Sequence, residues 1–206
     1  MGIFDFILTP FYLLVVFYFA YKYKAKREQE DITYKYFISG LTVKILGAIA
    51  LGLVYYFYYG GGDTVNYYNT ACAFINLLVE SPSDFWHVYF GSPSKSEYYL
   101  MNSNGEFCYW IIDPYAFYVS KIFFPFVLIG AKTYMTSAIL IAAVCYYSVW
   151  KMYQIFVIEF PHLHKQLAIS ILFIPSVVFW GSGIMKDSIT FSATCLYVYG
   201  FYWFVV

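Results

Sequence analysis

Apolar runs alternate along this chain with short polar stretches. Several reach the roughly 20 residues that a helix needs to cross a bilayer. The first, 3–21, is interrupted by Pro10, which neighbouring helices can accommodate at membrane depth. It closes on KYKAKREQEDITYKY (22–36), which holds Lys22, Lys24, Lys26, Arg27 and Lys35. A second run, 37–59, carries Lys44 in its first turns, and that side chain is expected to snorkel back to the basic interface. It ends in YYFYY (55–59), a composition suited to the headgroup belt. Residues 60–114 read as a long external loop. Within it, 74–79 and 85–90 are apolar patches bounded by SPSD and GSPSKSE, the pattern of interfacial helices joined by turns. The stretch 115–130 is short and contains Lys121 and Pro125, so it either crosses or re-enters. Runs at 133–150, 167–184 and 188–206 complete the pattern, the last two divided by Lys186 and Asp187. The predicted fold class is all-α: a polytopic transmembrane helical bundle, residues 1–206 forming a single membrane domain with a long external loop that carries interfacial helices.

Composition agrees, with 62% apolar and only 12% charged residues, about half the charge of an ordinary soluble domain. A formal net charge of zero removes the electrostatic argument for a nucleic-acid partner. The distribution of charge matters more. The basic stretch 22–36 marks a cytoplasmic side, which places the N-terminus and the 60–114 region outside. That region has Asp63, Glu80, Asp84, Glu97, Glu106 and Asp113 against Lys95. If 115–130 re-enters, the link holding Lys151 and Lys165 falls inside and the Lys186–Asp187 turn outside; if it crosses, both invert. Two lysines in a short link favour the first arrangement. The widely spaced cysteines, Cys72, Cys108, Cys145 and Cys195, form no CxxC pair, so no metal site is expected. Cys145 and Cys195 read as apolar packing residues, while Cys72 and Cys108 could pair if both face outward. The opening MGIFDF lacks a basic n-region, so the first run is expected to remain as an anchor. The end, FYWFVV, lacks a polar flank and suggests a fragment of a longer protein.

Two segments hold candidate chemistry. In GGGDTVNYYNTA (60–71), a helix beginning near Asp63 sets Asn66 and Tyr67 on the same face. A carboxylate at the water edge of an apolar pocket is a candidate general base; the alternative is an aspartate that caps the helix. In IPSVVFWGSGIMKDSIT (174–190), proline and glycines break an apolar run ahead of Lys186 and Asp187. Ionisable groups near membrane depth are costly and often functional, and Lys186 suits a phosphate or pyrophosphate. The alternative is a tight turn with both charges at the interface. His162 and His164, two apart, do not share a helix face, and His87 reads as interfacial. Tyr67, Tyr68, Trp86 and Trp110 are the aromatics best placed in sequence to stack on a sugar.

These segments together resemble the polytopic membrane glycosyltransferases of the C-type superfold. That group includes the protein O-mannosyltransferases and related bacterial exopolysaccharide and O-antigen polymerases. In those families an acid follows an outward-going span at the start of a long external loop, the place of Asp63 here. YAFYVSKIFFPFVLIG resembles the apolar segment that leads from the loop into later spans, and FIPSVVFWGSGIMKDS is similar to a proline-bearing stretch with a basic and acidic pair. The resemblance implies a bacterial inner-membrane protein of envelope polysaccharide biosynthesis, with a polyprenyl-linked sugar as substrate. Its partners would be membrane lipid and other envelope-biosynthesis proteins, and no cofactor is called for. Asp63 would be the catalytic base; Asn66, Tyr67, Lys186 and Asp187 would bind substrate. Thr64 stands where the mannosyltransferase pattern has a second acid. Two other readings remain open at this stage: a non-enzymatic subunit or transporter-like protein whose broken helix lines a path, and a structural scaffold.

Overall fold

The computed structural model describes residues 2–29, 31–101 and 108–206, and every regular element among them is helical. Glu106 lies outside the described residues. The helices are α1 (Ile3–Ala25), α2 (Phe37–Leu53), α3 (Asp63–Glu80), α4 (Pro82–Phe90), α5 (Lys95–Met101), α6 (Pro114–Ile129), α7 (Tyr134–Glu159), α8 (His164–Leu172), α9 (Pro175–Trp180) and α10 (Lys186–Val205). A 3-10 turn, Ile32–Tyr36, leads into α2 and a π-helical turn, Val54–Tyr58, extends it. Three helical stretches, Ile3–Ala25, Ile32–Tyr58 and Tyr134–Glu159, are long and apolar enough to cross a membrane. Phe4, Phe11, Leu14, Tyr18 and Phe19 of α1 are exposed.

The path of the chain follows from contacts between distant residues. At one end of the bundle, the buried Asp5 of α1 accepts from the Met135 amide of α7 (2.9 Å). The Thr64 hydroxyl of α3 meets the Tyr134 hydroxyl at the start of α7. The chain therefore leaves α2 and enters α7 at the same end, and α3 through α6 return it there. The segment from α3 to α6 as a whole therefore begins and ends at the same end of the bundle. At the other end lie Lys22 to Arg27, and Gln154 of α7 donates to Asp31 (2.9 Å). The expected run 167–184 is not one helix: α8 ends at Leu172 and α9 starts at Pro175. Ile174 is held extended (φ −68°, ψ 117°), as a residue before proline tends to be. The two short helices together carry the chain back to the Asp5 end, and α10 then descends along α7, where Ser192 donates to Ser148 (2.7 Å).

Helix α2 packs against both α7 and α9. Gly47 lies so close to α9 that a Cβ there would sit 2.6 Å from the Val178 carbonyl oxygen, the close backbone approach that small residues permit. Lys44 does not snorkel. It is only 4% exposed, donates to the Gly181 carbonyl that ends α9, and lies over the Phe191 ring (5.6 Å). A cation at a helix C-terminus is favourably placed, and this one ties α2 to the turn before Lys186. Cys72 and Cys108 are both buried, and no disulfide joins them among the described residues.

Asp5 caps α7 from another helix, and its other oxygen accepts from the Gly2 amide (2.8 Å). Asp5→Ala would leave the Met135 amide buried without its acceptor. The expected loss is about 1–2 kcal/mol, read as a lower melting temperature in detergent. An unchanged melting temperature would show that the cap contributes nothing.

Candidate functional site

Three glycines with positive φ (66°, 146° and 117° at Gly60, Gly61 and Gly62) turn the chain out of α2 and into α3. Other residues rarely adopt such angles. Gly62 also lies against the Tyr55 ring, where a Cβ would meet it at 3.0 Å. Gly62, not Asp63, is the N-cap. Asp63 is the first helical residue and is exposed, where the helix dipole favours a carboxylate. It is therefore not the helix cap, contrary to that sequence reading, and its carboxylate is open to water.

Tyr67, one turn further on, is 2% exposed. It stacks on Trp110 (centroids 5.1 Å apart, 26°) and meets the edge of Phe123 (5.7 Å). Burial first, then the carboxylates of Asp63, Asp113 and Asp187, push its phenol up to about 12. Those acids come from the first turns of α3 and α10 and the N-cap of α6. Asp63 and Asp187 also lie within electrostatic range of the Tyr55 hydroxyl. One tyrosine is thus within electrostatic range of acids at three helix N-termini, residues from opposite ends of the sequence. Each N-terminus presents amide N–H groups without intrahelical partners, a setting that favours bound anions.

The sequence-predicted residues divide accordingly. Asp63, Lys186 and Asp187 are exposed at this end and Asn66 is half-buried, whereas Tyr67 is covered. With Trp110 on its face, Tyr67 has no free surface for a sugar. Tyr68 donates to the Lys132 carbonyl (2.5 Å), bracing the turn between α6 and α7. Trp86 keeps an exposed ring but stacks on Phe90 (5.6 Å). Thr64, in place of a second acid, is fully buried against Tyr134, a position that an aspartate could occupy only as a buried charge.

Sequence reasoning missed Asp113 and Tyr55. Asp113 accepts from the amides of Tyr115 (2.9 Å) and Ala116 (3.4 Å), and the pair Asp113-Pro114 was a readable helix start. Nothing local to Tyr55 signals its place. His87, read as interfacial, has Nε2 3.7 Å from Oε1 of the buried Glu97. Among the described residues no group of three His, Cys, Asp or Glu is arranged to hold a metal ion. No family model matches the chain, and neither a curated protein nor a solved structure matches it.

The Tyr67 environment has a pH consequence. A phenol raised from 10.0 to about 12 contributes stability that is complete below pH 10 and lost as pH rises towards 12. The unfolded chain releases that proton first. The melting temperature of the wild type should therefore fall more steeply between pH 10 and 12 than that of Tyr67→Phe, and parallel slopes would refute the assignment.

Proposed function

We propose that the chain is an integral protein of a bacterial inner membrane that transfers sugar from a polyprenyl-linked donor, as a glycosyltransferase or polysaccharide polymerase. The observation that carries this reading is that Asp63, Lys186 and Asp187 lie at one end of the bundle, Asp63 and Asp187 both within electrostatic range of Tyr67. It is the end opposite the basic stretch 22–36, which makes it extracytoplasmic under the positive-inside tendency. Asp63 is exposed and can accept a proton from an acceptor hydroxyl as the sugar–phosphate bond breaks. Lys186, at the open N-terminus of α10, supplies a point charge and free amides to the departing pyrophosphate. Asp187 is the next residue of α10, the half-buried Asn66 lies one turn along α3 from Asp63, and the buried Tyr67 stays a neutral phenol.

A transporter-like path along the broken segment has less support. The space around Lys44 between α2, α7, α8, α9 and α10 amounts to about 10 Å³, at the lower limit for one water molecule. The test is to incubate the purified protein in lipid with a polyprenyl-pyrophosphate-linked oligosaccharide and follow release of the lipid pyrophosphate. Donor turnover supports the enzymatic reading. Absence of turnover with a panel of donors and acceptors, in protein shown to be folded, would remove it.

A further inference from the structure

The basic end of the bundle carries a feature that the sugar-transfer reading does not use. Between the second half of α1, the start of α2 and the middle of α7 lies an open groove of about 490 Å³. Its floor is apolar, formed by Phe37, Leu41 and Ala143 among others, and its rim holds Lys22, Lys26 and Arg27. No acidic residue lines it among the described residues. The neighbouring Lys24, which points elsewhere, is neutralised by Glu28 (3.0 Å). Among the described residues Lys22, Lys26 and Arg27 form no salt bridge; Arg27 instead lies over the Tyr23 ring (4.0 Å) and donates to the Tyr23 carbonyl.

We infer that this groove binds one anionic phospholipid, its acyl chain along the apolar floor and its phosphate among Lys22, Lys26 and Arg27. The charge is complementary, three cations facing a single anionic headgroup. The position is also right for a lipid, because the exposed α1 residues Tyr18 and Phe19 put the groove mouth against hydrocarbon while its cations sit at the basic interface. A basic pocket between helices on that side of a membrane is the usual setting for acidic headgroups. The site is remote from Asp63 and Lys186, at the opposite end of the bundle, so it is not the donor-sugar site. It rests on the membrane reading of the helices and is independent of the enzymatic one.

The test is native mass spectrometry of the whole protein in neutral detergent, titrated with dioleoyl phosphatidylglycerol, dioleoyl phosphatidylcholine or glycerol 3-phosphate. Each interfacial cation contributes about fivefold in affinity, so phosphatidylglycerol should bind about 100-fold more tightly than phosphatidylcholine. The combined Lys22→Gln, Lys26→Gln, Arg27→Gln variant should lose that preference, and Lys24→Gln should keep it. Ala143→Phe, which fills the floor and leaves every cation, should weaken both lipids. Equal affinity for the two lipids, or an undiminished preference in the triple variant, would overturn the proposal. Glycerol 3-phosphate binding as tightly as the lipid would instead make this a free-phosphate site. A dimer that the triple variant dissociates would assign the groove to a second copy. Both results also overturn the lipid assignment, and neither bears on donor turnover.

Discussion

Asp63→Asn should reduce turnover of a polyprenyl-linked donor by about 1,000-fold, the middle of the range for losing a general base, while leaving the unfolding free energy within about 0.5 kcal/mol of wild type. The separation of these effects follows from its setting. Asp63 is exposed and is not the cap of α3, since Gly62 fills that position. The amide keeps the shape of the side chain and removes only its capacity to take a proton. Asp113→Asn is the appropriate comparison, because asparagine caps a helix about as well as aspartate. It should preserve the bonds to Tyr115 and Ala116 and most of the turnover. If Asp63→Asn retains more than about a tenth of wild-type turnover, Asp63 is not the base, since such a loss is below the range for that role. If both variants are equally inactive, the acids act through their summed field rather than through Asp63.

Gly47→Leu should be the most damaging single substitution in the bundle core, costing about 3 kcal/mol as a small-to-large change against a rigid neighbour. A Cβ at this position would lie 2.6 Å from the Val178 carbonyl oxygen and 2.7 Å from its Cγ1. The carbonyl belongs to the backbone of α9 and cannot rotate away, so the two helices must separate. Even Gly47→Ala should be destabilising, because an overpacking cost of about 1–3 kcal/mol exceeds the roughly 1 kcal/mol that alanine gains over glycine in a helix. Gly200→Ala in α10 provides the control. Nothing lies within 4 Å of its added Cβ, so only the favourable propensity acts and stability should rise. Pushing α9 from α2 also strains the bond from Lys44 to Gly181 and shifts the turn that delivers Lys186 and Asp187. Turnover should therefore fall in Gly47→Leu below the level that the folded fraction explains. Equal melting temperatures for Gly47→Leu and wild type would show that α9 is not held against α2.

How much of this was legible beforehand differs by feature. Helices that depend on their own composition were readable: α1, α2 and α7 fall on long apolar runs, and three glycines before Asp63 announced a turn followed by a helix. Pro175 announced the break between α8 and α9. The route of the chain through 115–130 was left at two alternatives, because a short apolar helix has the same composition whether it crosses or returns. The bond from Met135 to Asp5 sets the start of α7 at the end where α1 begins, so the segment between α2 and α7 returns to the end it left. Lys44 was misread because rank in the sequence gives depth but not direction; its stem points into the bundle, where the C-terminus of α9 meets it.

The sequence by itself determined an all-helical chain, helices long and apolar enough to cross a membrane, and a charge distribution with its cations concentrated after the first helix. These are properties of single segments, set by hydrophobic length, backbone preference and local charge. Only the tertiary structure decided that Asp63, Asp113 and Asp187 come within electrostatic range of Tyr67, that Trp110 covers that ring, and that Lys44 supports the turn leading to Lys186. Such meetings depend on which faces of separate helices pack together. Residues brought into contact across helices carry no common period or spacing along the chain that would disclose them.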